Sequence, residues 1–215
     1  NVSFIIPNYN AQNTIAKCIE SILNQKYKGK IEIIVIDDFS KDNSVKIISK
    51  YKKVKLIKNE RNLGLAKSLN KAIKASKYEL IAIIWCDCVL ASDDWLNKMV
   101  NVYNSNKKCF VGSKLIISKE YWNKFSFYDK VVLIKDYEVS LKNKQKEGRP
   151  TLFNRKLLLE VGLYDDKTFR IAGEDTDLRW KIQGLGYKSI TAPVSILHLH
   201  GFYNLSIKKH LLNKA

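Results

Sequence analysis

Three carboxylates fall within four residues in the stretch Gly173-Glu174-Asp175-Thr176-Asp177-Leu178-Arg179-Trp180. Glu174, with Asp177 three residues on and Arg179 five on, would share space with them near the start of a helix. Acids there suit the helix dipole and cap free N–H groups. That role accounts for one or two of them. A third acid in a strongly basic chain points equally to a functional site, where carboxylates take protons or hold cations. Other candidates are scattered: Tyr9, Asp38 and Asp87 each follow an apolar run, and His198 and His200 share one face of a late strand-like segment.

The elements that would position these residues are read from apolar periodicity. Strands are expected at Val2–Ile6, Ile31–Ile36, Val54–Ile57 and Leu80–Trp85. Helices are expected at about 13–25, 43–51, 65–75 and 93–103. The first helix carries an apolar stripe of Ile15, Cys18, Ile19 and Ile22. Four alternations with continuous apolar strands predict a parallel sheet covered by helices on both faces. In such sheets ligands gather at the carboxyl ends of strands. Asp after a strand also commonly caps the next helix, but two acids and an aromatic at three strand ends favour a shared cleft. The second half changes rhythm. Strand-like 110–117 precedes a Lys- and aromatic-rich segment, 120–149. A short strand at 151–154, a helix at 155–161, the acidic helix to Gly184 and strands at 187–191 and 194–199 complete the chain. No internal repeat or linker divides it.

Composition narrows the function classes. The 215 residues carry 38 Lys and Arg against 21 acids, a net charge of +17, with 46% apolar residues. The apolar share supports a sizeable core. The charge attracts anions: nucleic acid, anionic lipid or phosphorylated substrates. Lys dominance suits diffuse attraction better than bidentate base reading, and no nucleic-acid recognition motif is evident. Cys18, Cys86, Cys88 and Cys109 form no disulfide framework, so a reducing compartment is expected. Cys86 and Cys88 could clamp a metal, but an apolar strand end is the favoured reading. No window reaches 18 consecutive apolar residues and no signal peptide is evident. The expected location is therefore the cytoplasm or the cytoplasmic face of a membrane, with a membrane segment beyond residue 215 left open. Neither a Gly-x-Gly-x-x-Gly nor a Walker-type loop is present.

In order along the chain, four segments resemble the family 2 glycosyltransferases. Phe4-Ile5-Ile6-Pro7-Asn8-Tyr9-Asn10 looks like that family's opening strand and nucleotide loop. Val35-Ile36-Asp37-Asp38-Phe39-Ser40-Lys41-Asp42 is similar to its Asp-Asp-x-Ser-x-Asp motif. Asn62-Leu63-Gly64 through Asn70 matches its Asn-x-Gly helix start, and Gly173-Glu174-Asp175-Thr176-Asp177-Leu178 its Glu-Asp catalytic motif. The resemblance implies the α/β fold called GT-A, a Rossmann-like three-layer arrangement with a mostly parallel sheet, as a single domain over 1–215. About 1–105 would bind the nucleotide sugar, and about 106–215 the acceptor. It also implies transfer from a UDP- or GDP-sugar to a saccharide or polyprenyl-phosphate-linked acceptor. Asp175 would be the general base and Glu174 would support it. Pro7, Tyr9, Asp38, Asn62, Gly64, Lys67, Trp85, Cys86, Asp87 and Arg179 would line the nucleotide-sugar site. Asp87, His198 and His200 would hold Mn²⁺ or Mg²⁺.

One departure stands out. Trp85 replaces the first Asp of the family's Asp-x-Asp metal motif, leaving Trp85-Cys86-Asp87. An indole offers a donor and no acceptor. Asp87 would then bind the ion with histidine, diphosphate and water, or Lys and Arg side chains would neutralise the diphosphate instead. Arg179 has two readings, binding a phosphate or pairing with Asp175 or Asp177. The 120–149 segment would lie on the acceptor side and suits a lipid carrier or membrane surface, or is a solvated basic loop. A nucleotide-sugar-binding protein without transferase activity is the alternative function, and a nucleic-acid-binding domain the third.

Overall fold

A computed structural model describes residues 1–117, 122–123, 127, 130–131, 149–168 and 173–199. Its first half follows the alternation in the sequence: β1 Val2–Asn8, α1 Ile15–Leu23, β2 Ile31–Asp37, α2 Ser44–Ile48, β3 Val54–Lys58, α3 Leu65–Ala75 and β4 Leu80–Ile83. After β4 come β5 Cys88–Leu90, α4 Trp95–Asn104, β6 Cys109–Ile117, β7 Arg149–Asn154, α5 Arg155–Glu160, α6 Glu174–Gly184 and β8 Lys188–His198. The strands form one sheet in the order β3-β2-β1-β4-β7-β6-β8-β5. β3, β2, β1 and β4 are parallel neighbours, as are β6 and β8. β7 and β5 run antiparallel to their partners.

Period-two alternation places apolar side chains on both faces of the central strands. Phe4, Ile6, Ile33, Val35 and Ala82 pack on one face against Ile15, Cys18, Ile19 and Ile22 of α1 and Trp95, Leu96 and Met99 of α4. Ile5, Ile34, Ile36, Ile81 and Ile83 pack on the other, against Leu69 and Ile73 of α3, Leu157 of α5, and Leu178 and Ile182 of α6. Burying each such large side chain contributes about 1.5–3 kcal/mol. Trp85 packs against both clusters. No helix among the described residues is long and apolar enough to cross a membrane.

Several boundaries differ from the sequence reading: β1 runs on through Pro7 to Asn8, and β7 begins at Arg149 instead of 151. The run expected as one strand to Trp85 ends at Ile83, turns through 84–87 and resumes as the short β5. The two strands expected at 187–191 and 194–199 are a single β8. Its register against β6 shifts between Gly112 and Lys114, so that Thr191 pairs with Gly112 and Ser195 with Lys114. Pro193 falls in that irregularity, where a residue without an N–H is tolerated. Helix α2 stops at Ile48, three residues early. The 120–149 segment lies almost wholly outside the described residues.

Candidate active site

The carboxyl ends of β1, β2 and β3 are tied together by side chains of the Asp37-Asp38-Phe39-Ser40-Lys41-Asp42 corner. Asp37 accepts hydrogen bonds from Asn8 Nδ2 at 2.7 Å, Ser40 Oγ at 2.5 Å and Ser40 N at 3.1 Å. Asp42 accepts from the backbone of Gln12 and Ser44, both at 2.9 Å, and from the Ser44 hydroxyl. Burial pushes the Asp42 carboxyl up, but the Ser44 hydroxyl and these N–H groups outweigh it and hold the group below the usual range. Phe39 takes φ +68, uncommon for a bulky residue, and its ring lies 3.4 Å from the Lys41 ammonium. This clamping is mechanical. Asp38 is the member of the motif that also faces the cleft.

Asp38 is buried and holds the 59–64 loop. Its Oδ1 accepts from Asn59 Nδ2 at 2.9 Å and Leu63 N at 2.7 Å, and its Oδ2 from Gly64 N at 2.9 Å. Gly64 sits at φ 86, ψ 164 where α3 begins, a region essentially restricted to glycine. The resulting cleft, about 330 Å³, is lined by Pro7, Tyr9, Asp38, Asn62, Gly64, Trp85, Cys86 and Asp87. Eight of the ten residues expected to hold the nucleotide sugar are thus in one place. Lys67 lines a separate hollow that shares Asn62, Gly64 and Leu65 with the cleft and also includes Asp166.

Arg179 lines a second, tighter pocket of about 90 Å³ with Asp175, His198, Tyr164 and Trp85, walled by Ile83, Leu115, Phe153, Leu178 and Ile196. Trp85 belongs to both pockets. The three acids of the opening stretch separate here. Asp175 faces this pocket. Glu174 is buried at 6% exposure; burial first, and then its neighbour Asp175, push its carboxyl above the usual range, against the opposing pull of its own backbone N–H. Asp177 pairs with Lys181, one turn further along the helix, at 2.6 Å. Tyr164 was missed in the sequence. Its hydroxyl is fully buried, and burial, then Asp175 and Glu174, push it well above its ordinary value. The loop carrying it is held by Asn70, whose Nδ2 donates to Tyr164 O at 2.9 Å and whose Oδ1 accepts from Tyr164 N at 3.0 Å. The available signal was Asn70 itself, a polar residue on the buried stripe of α3.

Comparison with known proteins decides the family. The model of "Glycosyl transferase family 2" matches residues 3–162. The chain belongs to glycosyltransferase family 2. Among curated proteins, the poly-β-1,6-N-acetyl-D-glucosamine synthase of Staphylococcus epidermidis is 30% identical over 202 residues, covering 87% of this chain and 47% of the synthase. The chain spans about half the length of the curated relatives it matches. Among solved structures, the mannosyltransferase PcManGT from Pyrobaculum calidifontis in complex with GDP-Man and Mn²⁺ superposes with a TM-score of 0.73 at 19% identity, covering 99% of this chain and 60% of that one. S. aureus TarS 1–349 gives 0.65 at 17% identity, with 93% and 58% covered. These two share the GT-A fold with this family 2 chain.

In the family 2 domain the remaining question is the cation. His198 Nε2 lies 3.1 Å from Asp87 Oδ2, and Cys88 Sγ lies 3.6 Å from Asp87 Oδ1. The donor atoms of Asp87, Cys88 and His198 all lie within 4.8 Å of one another. A carboxylate and an imidazole suit a divalent transition ion, so the set fits one. Cys88, favoured as a mere strand-end residue, belongs to this cluster, whereas Cys86 lines the larger cleft. His200 lies outside the described residues. Trp85, in place of the family's first Asp, supplies a wall instead of a ligand.

Proposed function

We propose that this domain is an inverting glycosyltransferase that moves a sugar from a nucleotide-diphosphate sugar, UDP- or GDP-linked, to an acceptor hydroxyl. The observation carrying the reading is the meeting of two pockets at Trp85: one gathers the strand-end residues, and the other presents Asp175. Tyr9, half exposed at the rim, packs near the base. Asp38 spends three acceptor positions on the loop; a carboxylate offers about four, so Oδ2 retains capacity for a base N–H. Asp175 takes the proton of the attacking hydroxyl. A single base facing the leaving group gives one in-line displacement and inversion, unlike glycoside hydrolysis with its two opposed carboxyl groups. Asp87 and His198 would hold a divalent ion, which offsets charge on the departing diphosphate. Glu174 and Arg179 support the site, Glu174 from beneath and Arg179 as a phosphate partner from within the pocket. The donor half is about 1–105 and the acceptor half about 106–215.

The similarity to a poly-β-1,6-N-acetyl-D-glucosamine synthase supports a saccharide acceptor, and the reading extends to one free or carried on a polyprenyl phosphate, in surface glycan assembly at the cytoplasmic face of a membrane. The +17 charge supports peripheral contact with anionic lipid, and no specific nucleic acid is invoked. A screen of UDP- and GDP-sugars by thermal shift, with and without Mn²⁺, tests the donor, because a ligand bound only by the native state raises Tm. Asp175→Asn tests the chemistry. It should lower turnover by about 10²–10⁴-fold while nucleotide affinity stays. Full activity in that variant rejects the base, and unchanged turnover in excess chelator rejects the ion. Trp85 favours one rival, a nucleotide-sugar-binding domain without transfer. Donor binding with neither transfer nor donor hydrolysis across an acceptor panel would establish it.

A further inference from the structure

We infer that the β4–β5 turn and the end of β8 form a thiophilic metal site, in which Cys88 is a third protein ligand beside Asp87 and His198. Strand register brings the groups together. Cys88 and His198 are direct partners in the antiparallel β5–β8 ladder, and directly opposed residues put their side chains on the same face, about 4.5–5.5 Å apart at Cβ. The ladder continues one step further, with Leu199 N donating to Asp87 O at 2.8 Å. Asp87 thus sits next along the chain at the turn, and its carboxylate reaches back to the pair, Oδ2 lying 3.1 Å from His198 Nε2 and Oδ1 3.6 Å from Cys88 Sγ.

The donor atoms are close enough to share one ion: one from each of Asp87, Cys88 and His198 lies within 4.8 Å of the other two. Zinc takes oxygen and nitrogen at about 2.1 Å and sulfur at about 2.3 Å, so a small side-chain adjustment would bring all three to bonding distance. The donor chemistry also selects. Mg²⁺ asks for an oxygen octahedron, and this set offers one carboxylate, one imidazole and one sulfur, which favour zinc or cobalt. On binding, the metal–sulfur bond replaces the thiol S–H and the proton leaves to solvent. Cys88 and His198 line the smaller pocket and Asp87 the larger cleft, so an ion held there would be within reach of water or a ligand oxygen. The other nearby thiols do not join: Cys86 lines the larger cleft, and Cys18, on the buried face of α1, donates to Trp85 O at 3.4 Å.

The site's role rests on the donor reading above, but its occupancy does not, so it is tested without a transfer assay. Co²⁺ titrated into the metal-free chain should produce a near-ultraviolet sulfur-to-cobalt charge-transfer band that saturates at one equivalent. Zn²⁺ should abolish the band by displacement and Mg²⁺ should not. Cys88→Ser should lose the band, and Cys86→Ser should keep it. By competition, Zn²⁺ affinity in Cys88→Ser should fall by more than the about 10–100-fold that losing an outer-shell partner costs. Absence of the band in the wild-type chain, whether or not cobalt binds, overturns the proposal, as does its survival in Cys88→Ser. The wild-type spectrum decides even if the variant does not fold. A chain that shows the band but transfers no sugar would retain the metal site and lose the transferase reading.

Discussion

Asn70 and Tyr164, 94 residues apart, exchange two hydrogen bonds: the Asn70 side-chain amide meets the Tyr164 N–H and C=O as a neighbouring strand would. Helix α3 thereby holds the loop whose Tyr164 lines the Asp175 pocket. Asn70→Ala leaves a buried donor and a buried acceptor without partners, at about 1–3 kcal/mol for each such group. Denaturant unfolding should show that loss. Turnover should fall while nucleotide affinity, measured by calorimetry, stays within about twofold of wild type, since a larger change would count as more than about 0.4 kcal/mol.

Gly64→Ala isolates the backbone cost at the α3 start. Nothing lies within 4 Å of an added Cβ, so no clash contributes. The conformation alone should cost about 1–3 kcal/mol. Nucleotide binding should weaken as well, because the Gly64 N–H is one of the groups Asp38 holds. A variant as stable as wild type would show that the loop adopts another conformation.

Asp38→Asn turns one acceptor oxygen into a donor facing the N–H of Leu63 or Gly64. Hydrogen bonds to charged groups contribute about 1.5–3 kcal/mol, and stability should drop on that scale. Affinity for UDP or GDP should fall in the same variant. Normal affinity in a destabilised variant would confine Asp38 to its clamping role.

Two carboxyls give opposite pH signatures. Glu174 is raised in the folded state, so the native chain binds its proton more tightly, and stability is lost as pH rises from the ordinary Glu range through the raised value. Glu174→Gln should therefore raise Tm at neutral pH and leave it unchanged at acid pH. Asp42 is lowered; its contribution is present above the ordinary Asp range and is lost as pH falls through the lowered value. Asp42→Asn should lower Tm at neutral pH, with the difference vanishing in acid. Thermal melts across pH check both signs.

The legible part of this fold was the part written in neighbouring residues. Apolar runs broken by Asn8, Asp38 and Asn62 marked strands and loops that pair with near neighbours in the chain, and the cleft followed from where those strands end. What escaped depends on distant pairing. β5 has three residues and no periodicity of its own, and it exists because β8, more than a hundred residues later, lies beside it. Cys88 gained a chemical neighbourhood only through that ladder. Tyr164 could not be placed because its clamp lies on α3. The three acids read as one cluster, since spacing along a helix shows which side chains are neighbours and not which of them turns inward.

The sheet also limits its own growth. Among the described residues its outermost strands are β3 and β5. β3 carries exposed Lys55 and Lys58, and β5 is only three residues long, with the N–H groups of Cys88 and Leu90 already bonded to Trp85 O and Ser21 Oγ. Charged or very short edges make poor templates for another chain's strand. Both edges are thereby protected against strand addition by another chain without an added cap.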